Sequence, residues 1–295
     1  MARATEASPR ANRITRIQET PYMPTARPFM RHDRPLFFAH RGGALLRPEN
    51  TLLAFEHGLS FGADALELDI QQTRDGELVV IHDPTVDRTT NGNGAVASFT
   101  LDELRHFDAG YTFSRDGGAT FPYRGQGVTV STLREVFERF PDVRINIDLK
   151  ESTPDREERL WALIQEFEAE DRICAGCFDH AALVRFRRVT EGQVATSASP
   201  REVRSFLLAA LSHAISWLRP AYDALQVPTT YGAIRIVSRT TVEAAHRLGI
   251  QTHVWTVDER VHMEALLALG VDGLMTDRPD ILADALARRS SPTGS

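Results

Sequence analysis

Short apolar runs alternate with helical patterns along most of this chain. The candidate strands are residues 36–39, 65–70, 78–81, 143–149, 173–178, 193–196, 225–227, 251–255 and 273–275. Segments with the apolar spacing of amphipathic helices lie between most of them, at residues 51–61, 133–140, 157–170, 181–189, 201–218, 239–248 and 260–269. Strands that alternate with helices indicate parallel α/β architecture. The strand number and the roughly 250 residues involved favour a (β/α)8 TIM-type barrel, with an open doubly wound sheet as the alternative.

The second and third strands break this alternation. Only residues 71–77 separate the strand that ends at Ile70 from the strand that begins at Leu78. A parallel crossover needs about a dozen residues or more, so the pair is predicted to form an antiparallel β-hairpin that turns at 75–76. Counting outward from that turn places Asp69 opposite His82, and a bulge would shift this register by one residue.

Two regions do not follow the barrel pattern. Residues 84–131 are irregular and rich in Gly and aromatic residues, and they are too long for a plain loop, so they predict a small inserted subdomain or a cap. Residues 1–34 contain seven Arg and lack the apolar stretch of a secretory signal, which indicates a disordered basic tail. Residues 35–290 would then form the barrel domain, and 291–295 a second tail.

Composition narrows the class of function. The 295 residues are 42% hydrophobic and 25% charged, as in ordinary soluble domains, and the net charge of -6 argues against a nucleic-acid partner. No run approaches the roughly 20 apolar residues of a transmembrane helix. We therefore expect a cytoplasmic protein. Residues 206–218 are unusually apolar, and they could bury in the barrel wall, rest on a membrane surface as a peripheral contact, or cover an acyl chain.

Carboxylates alternate with apolar residues in two of the predicted strands. Glu67 and Asp69 project to one face of the second strand, and Asp148 and Lys150 repeat the pattern in the strand at 143–149. Burying like charges is costly without a cation, so an inward-facing pair predicts a site for Mg²⁺ or Ca²⁺, while an exposed sheet edge would leave both acids solvated. Lys150 is the single lysine of the chain, which suggests a site where arginine does not substitute.

Two histidines stand at strand ends beside these carboxylates. His40 ends the first strand and His82 ends the hairpin strand, and two imidazoles flanking a metal site suggest a general acid and a general base. Arg41 offers a planar fork for a phosphate oxygen. The glycines that follow Arg41 are expected to let the backbone pass close to a substrate.

Other polar segments receive structural interpretations. The charged run at residues 155–159 is typical of a solvated helix start. Asp277 or Arg278 is expected to cap the helix after the last strand. Asn50 or Thr51 is expected to cap the first helix, which leaves Glu49 at the rim without an assigned role.

Five motifs of the sequence, in this order, resemble those of the glycerophosphodiester phosphodiesterases: "HRGG…PENTLLAF", "LELDIQQTRDGELVVIHDPTVDRTTNG", "INIDLK", "VWTVD" and "GVDGLMTDRPDIL". The resemblance implies a barrel of the kind shared with phosphoinositide phospholipases C, one divalent cation, and hydrolysis of glycerophosphodiesters to an alcohol and glycerol 3-phosphate. By motif position it implies His40 and His82 as the acid/base pair, Glu67 and Asp69 as metal ligands, Arg41 and Lys150 as phosphate-binding residues, and Trp255 as an aromatic wall of the pocket. Asp148, where the family usually has Glu, is the third expected ligand.

Two other functions remain open at this point. The segment "DAGYTFSRDGG" resembles the lysophospholipase D-like members of the same family, which cleave lysophospholipids with the same machinery. A catalytically inactive barrel that acts as a binding protein is a remote alternative, because it would be expected to lack the histidine pair or the carboxylates. All of those residues are present in this chain.

Overall fold

The computed structural model describes residues 27–150, 155–212 and 214–290. Its strands are β1 (Leu36–His40), β2 (Ala65–Gln72), β3 (Leu78–Val80), β4 (Arg144–Leu149), β5 (Ile173–Gly176), β6 (Ala195–Thr196), β7 (Ala224–Val227), β8 (Thr230–Tyr231), β9 (Ile234–Arg235), β10 (Gln251–Val254) and β11 (Gly273–Thr276). Its helices are α1 (Leu52–Ser60), α2 (Leu101–Leu104), α3 (Leu133–Arg139), α4 (Arg156–Glu166), α5 (His180–Val189), α6 (Pro200–Leu211), α7 (Arg239–Arg247), α8 (Arg260–Leu269) and α9 (Pro279–Ser290).

Eight of the strands form a parallel barrel. Their order is β6-β5-β4-β2-β1-β11-β10-β7, and a parallel bridge between Ser197 and Ala224 joins the two ends of this path. Helices pack around the outside, and their buried faces meet the outward side chains of the strands in two large apolar clusters. The prediction of an α/β barrel of the TIM type is confirmed. The carboxyl ends of all eight strands therefore open at one mouth.

The segment that precedes β1 closes the opposite end of the barrel. Phe29 and Met30 are buried at 1% and 0% exposure and pack with Phe38 of the barrel interior. Gln251 donates a hydrogen bond to the Met30 carbonyl at 2.6 Å. Residues 27–34 are therefore not part of a disordered tail, because they fill the space between the amino ends of the strands. The rest of the predicted basic tail and the predicted tail at 291–295 lie outside the described residues.

The β2–β3 pair is the antiparallel hairpin that the sequence predicted, but its predicted register is wrong by one residue. The Ile81 amide donates to the Asp69 carbonyl at 3.0 Å, so Ile81 and not His82 lies opposite Asp69. The Thr73 amide bonds to the Glu77 carbonyl at 3.0 Å, which leaves a three-residue loop between them. A loop with one more residue than a two-residue turn moves every later pairing by one position.

Residues 84–131 form a compact insertion on the hairpin. The apolar side chains of the insertion share one buried cluster with the hairpin, made of Val79, Ile81, Val86, Val96, Leu104, Ala109 and Val130. This cluster is separate from the barrel core. The insertion is therefore anchored on the outward face of β3, beside the carboxyl ends of the barrel strands, and its first residues lie at the mouth.

The segment predicted as one helix at 201–218 is divided. Helix α6 ends at Leu211, and a short 3₁₀ turn follows at Ile215–Trp217. Phe206 is 1% exposed and packs in the barrel wall, whereas Trp217 is 84% exposed. This helix returns from the carboxyl end of β6 to the amino end of β7, so Trp217 lies away from the mouth. Within the described residues, no helix is both long and apolar enough to cross a membrane.

The charged run at 155–159 is a solvated helix start only in part, because Asp155, Glu158 and Arg159 are exposed whereas the two residues between them are buried. Arg156 and Glu157 are 0% and 1% exposed, and their side chains form an ion pair at 2.8 Å. Arg156 also donates to the Lys150 carbonyl at 3.0 Å. The first turn of α4 is therefore packed under the end of β4, where it supports the strand that carries Lys150.

Candidate active site

Strand register brings the predicted site residues together at the barrel mouth. His40 on β1 lies beside Glu67 on β2, and Asp69 lies beside Asp148 on β4. Each of these residues shares the inward parity of its strand, because positions two residues apart point to the same face. Lys150 follows at the next inward position after Asp148. The alternation read from the sequence therefore describes a real inward-facing cluster.

The three carboxylates experience different electrostatic environments. Burial, with the charge of Asp69, raises the pKa of Glu67 to about 7. Burial would also raise the pKa of Asp69, but Lys150 and Arg41 outweigh it and lower that pKa. For Asp148, burial prevails over the attraction of Lys150, and its pKa is raised. Burial therefore prevails over the nearby cations at Glu67 and Asp148 but not at Asp69.

Two cations face the carboxylates. The Lys150 ammonium lies 2.8 Å from Asp69 and 2.5 Å from Asp148, and although burial opposes its charge, these partners raise its pKa. The Arg41 guanidinium lies 3.1 Å from Asp69 and 3.0 Å from Glu49. Both cations are therefore held at the mouth by carboxylates, in positions from which they can reach an anionic substrate.

The side chain of His40 is oriented by Asp277, for which the sequence predicted a different role. Asp277 was expected as one of two caps for the last helix, but its Oδ1 lies 2.6 Å from Nδ1 of His40. The Asp258 carboxylate accepts a hydrogen bond from the Asp277 amide at 2.8 Å. Burial opposes protonation of His40, yet Glu67 and Asp277 together raise its pKa to about 9. The alternation in β11 was a partial signal, because Asp277 continues its inward-facing positions, but only the pairing of β11 with β1 brings Asp277 beside His40.

His82 has an equivalent partner. Its Nδ1 lies 2.6 Å from Oδ1 of Asp83, and its carbonyl accepts a hydrogen bond from Gln71 at 3.1 Å. His82 lies beyond the end of β3, so the hairpin register does not set its direction. In both histidines a carboxylate holds Nδ1, which leaves Nε2 as the nitrogen available for proton exchange.

The "PENT" segment contributes more than a helix cap. Of the two candidate caps for α1, Thr51 is the cap, and its side chain accepts a hydrogen bond from the Ala54 amide at 3.2 Å. Asn50 instead donates to Asp69 at 2.8 Å. Glu49, which had no assigned role, binds Arg41. The glycine at position 42 is needed for close packing on α1, since a Cβ there would lie 2.6 Å from the Ala54 carbonyl carbon.

Exposed apolar side chains form one sector of the mouth. Trp255 follows β10, and its ring centroid lies 6.3 Å from that of Phe178, which follows β5. Phe178 is 65% exposed, and Tyr231 and Ile234 of the β8–β9 hairpin are 75% and 60% exposed. The β8–β9 hairpin follows β7, which lies across the barrel from β2, and β5 and β10 each lie two strands away from the β2–β1 pair. The mouth therefore has a charged side and an apolar side.

A known protein family matches most of this chain. The model of the glycerophosphoryl diester phosphodiesterase family matches residues 40–281. The chain belongs to this family. A glycerophosphodiester phosphodiesterase of Caldanaerobacter subterraneus subsp. tengcongensis is 35% identical over 262 residues, which cover 86% of this chain and 99% of that protein.

Solved structures show the same fold. The glycerophosphoryl diester phosphodiesterase domain of a Mycobacterium tuberculosis protein superposes with a TM-score of 0.75 at 20% identity, covering 87% of this chain and 100% of that one. An Oleispira antarctica phosphodiesterase, solved in complex with the product sn-glycerol-3-phosphate, superposes with a TM-score of 0.65 at 23% identity, covering 86% and 97%. The resemblance seen in the sequence motifs is confirmed.

The carboxylates of this family member suit a hard cation by their chemistry. Oxygen donors are the ligands that Mg²⁺ and Ca²⁺ prefer, and Glu67 and Asp69 are carboxylates buried at 5% and 1% exposure. Throughout residues 27–150, 155–212 and 214–290, however, no three His, Cys, Asp or Glu side chains are grouped so as to hold a metal ion. In this structure Lys150 supplies the positive charge between Asp69 and Asp148.

Proposed function

We propose that this chain, a hydrolase of glycerophosphodiesters, cleaves them to an alcohol and glycerol 3-phosphate with His40 and His82 as a general acid and general base. The observation that carries the proposal is that a carboxylate holds Nδ1 of each imidazole at 2.6 Å. A positioned carboxylate fixes the ring orientation and leaves Nε2 to exchange protons. Both histidines stand at the mouth that also holds the cations and buried carboxylates.

The other residues of the charged side would bind and orient the phosphodiester. Arg41 offers a planar fork, and Lys150 offers a compact charge, for the phosphoryl oxygens. One imidazole takes the proton of the nucleophile, which is water or the glycerol 2-hydroxyl, and the other gives a proton to the oxygen of the leaving alcohol. Attack by the 2-hydroxyl would form a cyclic phosphodiester, which water then opens to glycerol 3-phosphate. Preorganised charges at the position where negative charge develops contribute a large share of catalysis.

We also propose one divalent cation, Mg²⁺ or Ca²⁺, as cofactor. Glu67, Asp69 and Asp148 would hold it, because their oxygen atoms suit a hard cation, and to do so they would have to converge and release Lys150 from its position between the two aspartates. When bound, such a cation neutralises charge on the phosphoryl oxygens and favours ionisation of a hydroxyl.

The histidine assignment is tested with glycerophosphocholine as substrate. His40→Ala and His82→Ala should each lower kcat by about 10²- to 10⁴-fold, as expected for loss of a general acid or base, without changing the circular dichroism spectrum. His262→Ala is the matched control, since His262 is an exposed surface residue at 65%. Activity of either active-site variant within a factor of ten of wild type would contradict the proposal.

The apolar side of the mouth favours a second candidate activity, the lysophospholipase D-type hydrolysis of lysophospholipids at the same site. Phe178, beside Trp255, and Tyr231 and Ile234 of the β8–β9 hairpin are more than half exposed, and together they could take an acyl chain. The same sector is better placed for peripheral membrane contact than residues 206–218, because Trp217 points away from the mouth. The ratio of kcat/KM for lysophosphatidylcholine to that for glycerophosphocholine decides between the two substrate classes.

A further inference from the structure

Arg88 lies in the insertion, at the edge of the barrel mouth, and it touches neither histidine. We propose that Arg88 is a positioning residue that fixes His82 and Arg41 relative to each other through a single guanidinium. This inference rests on the proposed function, because it assigns Arg88 to the hydrolysis at that site.

Both edges of the Arg88 guanidinium are occupied by carboxylates. Its Nε and Nη2 donate to Asp83 at 2.7 and 3.1 Å, and its Nη1 and Nη2 donate to Glu49 at 2.7 and 2.8 Å. These four hydrogen bonds use four of the five N–H donors that a guanidinium has. Arg88 therefore has little capacity left to bind a substrate phosphate directly.

Each of the two carboxylates bound by Arg88 also binds a residue of the active site. Asp83 holds Nδ1 of His82 at 2.6 Å, and Glu49 holds Arg41 at 3.0 Å. A shift of the Arg88 guanidinium would therefore move a proton-transfer group and a phosphate-binding group together. Because a misplacement of about 1 Å can cost about 10²-fold in rate, this linkage matters for catalysis.

Only arginine can make this bridge. A lysine ammonium is a compact point charge and cannot present two parallel pairs of donors to two carboxylates. The backbone of Arg88 is fixed as well, since Thr112 donates to the Arg88 carbonyl at 2.7 Å. The insertion thus holds the bridging guanidinium of Arg88 in place at the barrel mouth.

The role is in positioning rather than in stability. The Arg88 side chain is 46% exposed, and exposed ion pairs contribute little to the free energy of unfolding. Substitution should therefore change turnover far more than thermal stability.

The test compares Arg88→Lys and Arg88→Ala with the wild type on glycerophosphocholine. Both variants should lower kcat by about 10- to 100-fold, because His82 is misplaced, and any rise in KM from the accompanying shift of Arg41 should be smaller than the loss of kcat. Arg105→Ala is the control, since Arg105 lies elsewhere on the insertion and forms an exposed ion pair with Glu135 of α3. Adding Glu49→Gln to Arg88→Ala should cost less than the product of the two single losses, because the pair acts as one unit.

Unchanged kcat in Arg88→Lys would overturn the inference, and so would a raised KM at unchanged kcat, which would make Arg88 a substrate-binding residue. If Arg88→Ala does not fold, Arg88→Lys decides. Failure of the proposed function looks different, because the wild type itself would then release no glycerol 3-phosphate.

Discussion

Replacing Asp277 with Asn tests whether the last strand supplies the orienting carboxylate of His40. Asp277→Asn keeps the shape of the side chain and removes its negative charge. The Oδ1 atom of Asp277 lies 2.6 Å from Nδ1 of His40, and the Asp277 amide is fixed by Asp258 at 2.8 Å. The substitution therefore weakens one defined interaction in a backbone that is otherwise held in place.

The expected magnitude follows from the type of hydrogen bond. A hydrogen bond to a charged group contributes about 1.5–3 kcal/mol, which corresponds to about a 10- to 150-fold loss of kcat. KM should change little, because Asp277 contacts His40 and not the expected phosphate position. Glu67 and Asp277 raise the pKa of His40 to about 9 against the effect of burial, so loss of Asp277 should move the His40 limb of the pH–rate profile to lower pH.

The assay is steady-state hydrolysis of glycerophosphocholine as a function of pH. Asp280→Asn is the matched control, because Asp280 lies three residues further along and pairs with Arg278 at 2.7 Å rather than with a site residue. The reasoning is refuted if Asp277→Asn keeps kcat within about twofold of wild type with an unmoved pH limb, or if Asp280→Asn loses as much activity.

Three further outcomes are expected. Arg156→Met leaves the buried carboxylate of Glu157 to Arg185, a largely exposed partner at 3.3 Å, and should lower the free energy of unfolding by about 3 kcal/mol in urea titrations, whereas Arg159→Met, on the exposed face of the same helix, should cost less than about 1 kcal/mol; equal losses would contradict this. The hydrogen bond to Asp272 raises the pKa of His246, so its protonated form stabilises the fold below about pH 6.5, and this contribution disappears as the pH rises through the folded-state pKa. His246→Gln should thus lower Tm at about pH 5.5 but not at about pH 9.5, and the opposite pH order would refute the sign. Phe178→Ser should lower kcat/KM for lysophosphatidylcholine and not for glycerophosphocholine, while equal effects on both would remove the case for an acyl-binding rim.

The barrel and the charged side of its mouth could be predicted because both follow from strand periodicity. Glu67 and Asp69 share one parity within an apolar strand, and parallel register with β4 places Asp148 beside them. The alternation of polar and apolar residues is a local property of a strand, so it can be recognised without knowledge of the tertiary structure.

Features that depend on closure of the barrel, or on the extra residue in the β2–β3 loop, could not be predicted in the same way. The prediction that His82 lies opposite Asp69 assumed a two-residue turn, and the three-residue loop shifts that pairing by one residue. Asp277 suited a local interpretation as a cap, and only the pairing of β11 with β1 brings it to His40. Arg156 suited a solvated helix start, because nothing in its immediate sequence indicates that α4 packs under the end of β4.

The product of the reaction tests the central claim most directly. With glycerophosphocholine as substrate, ³¹P NMR should show glycerol 3-phosphate forming in the presence of Mg²⁺ or Ca²⁺, and its formation should stop after addition of EDTA and resume when the cation is restored. Release of phosphocholine, or formation of glycerol 3-phosphate at the same rate in EDTA, would contradict a metal-supported site that cleaves the bond to the alcohol.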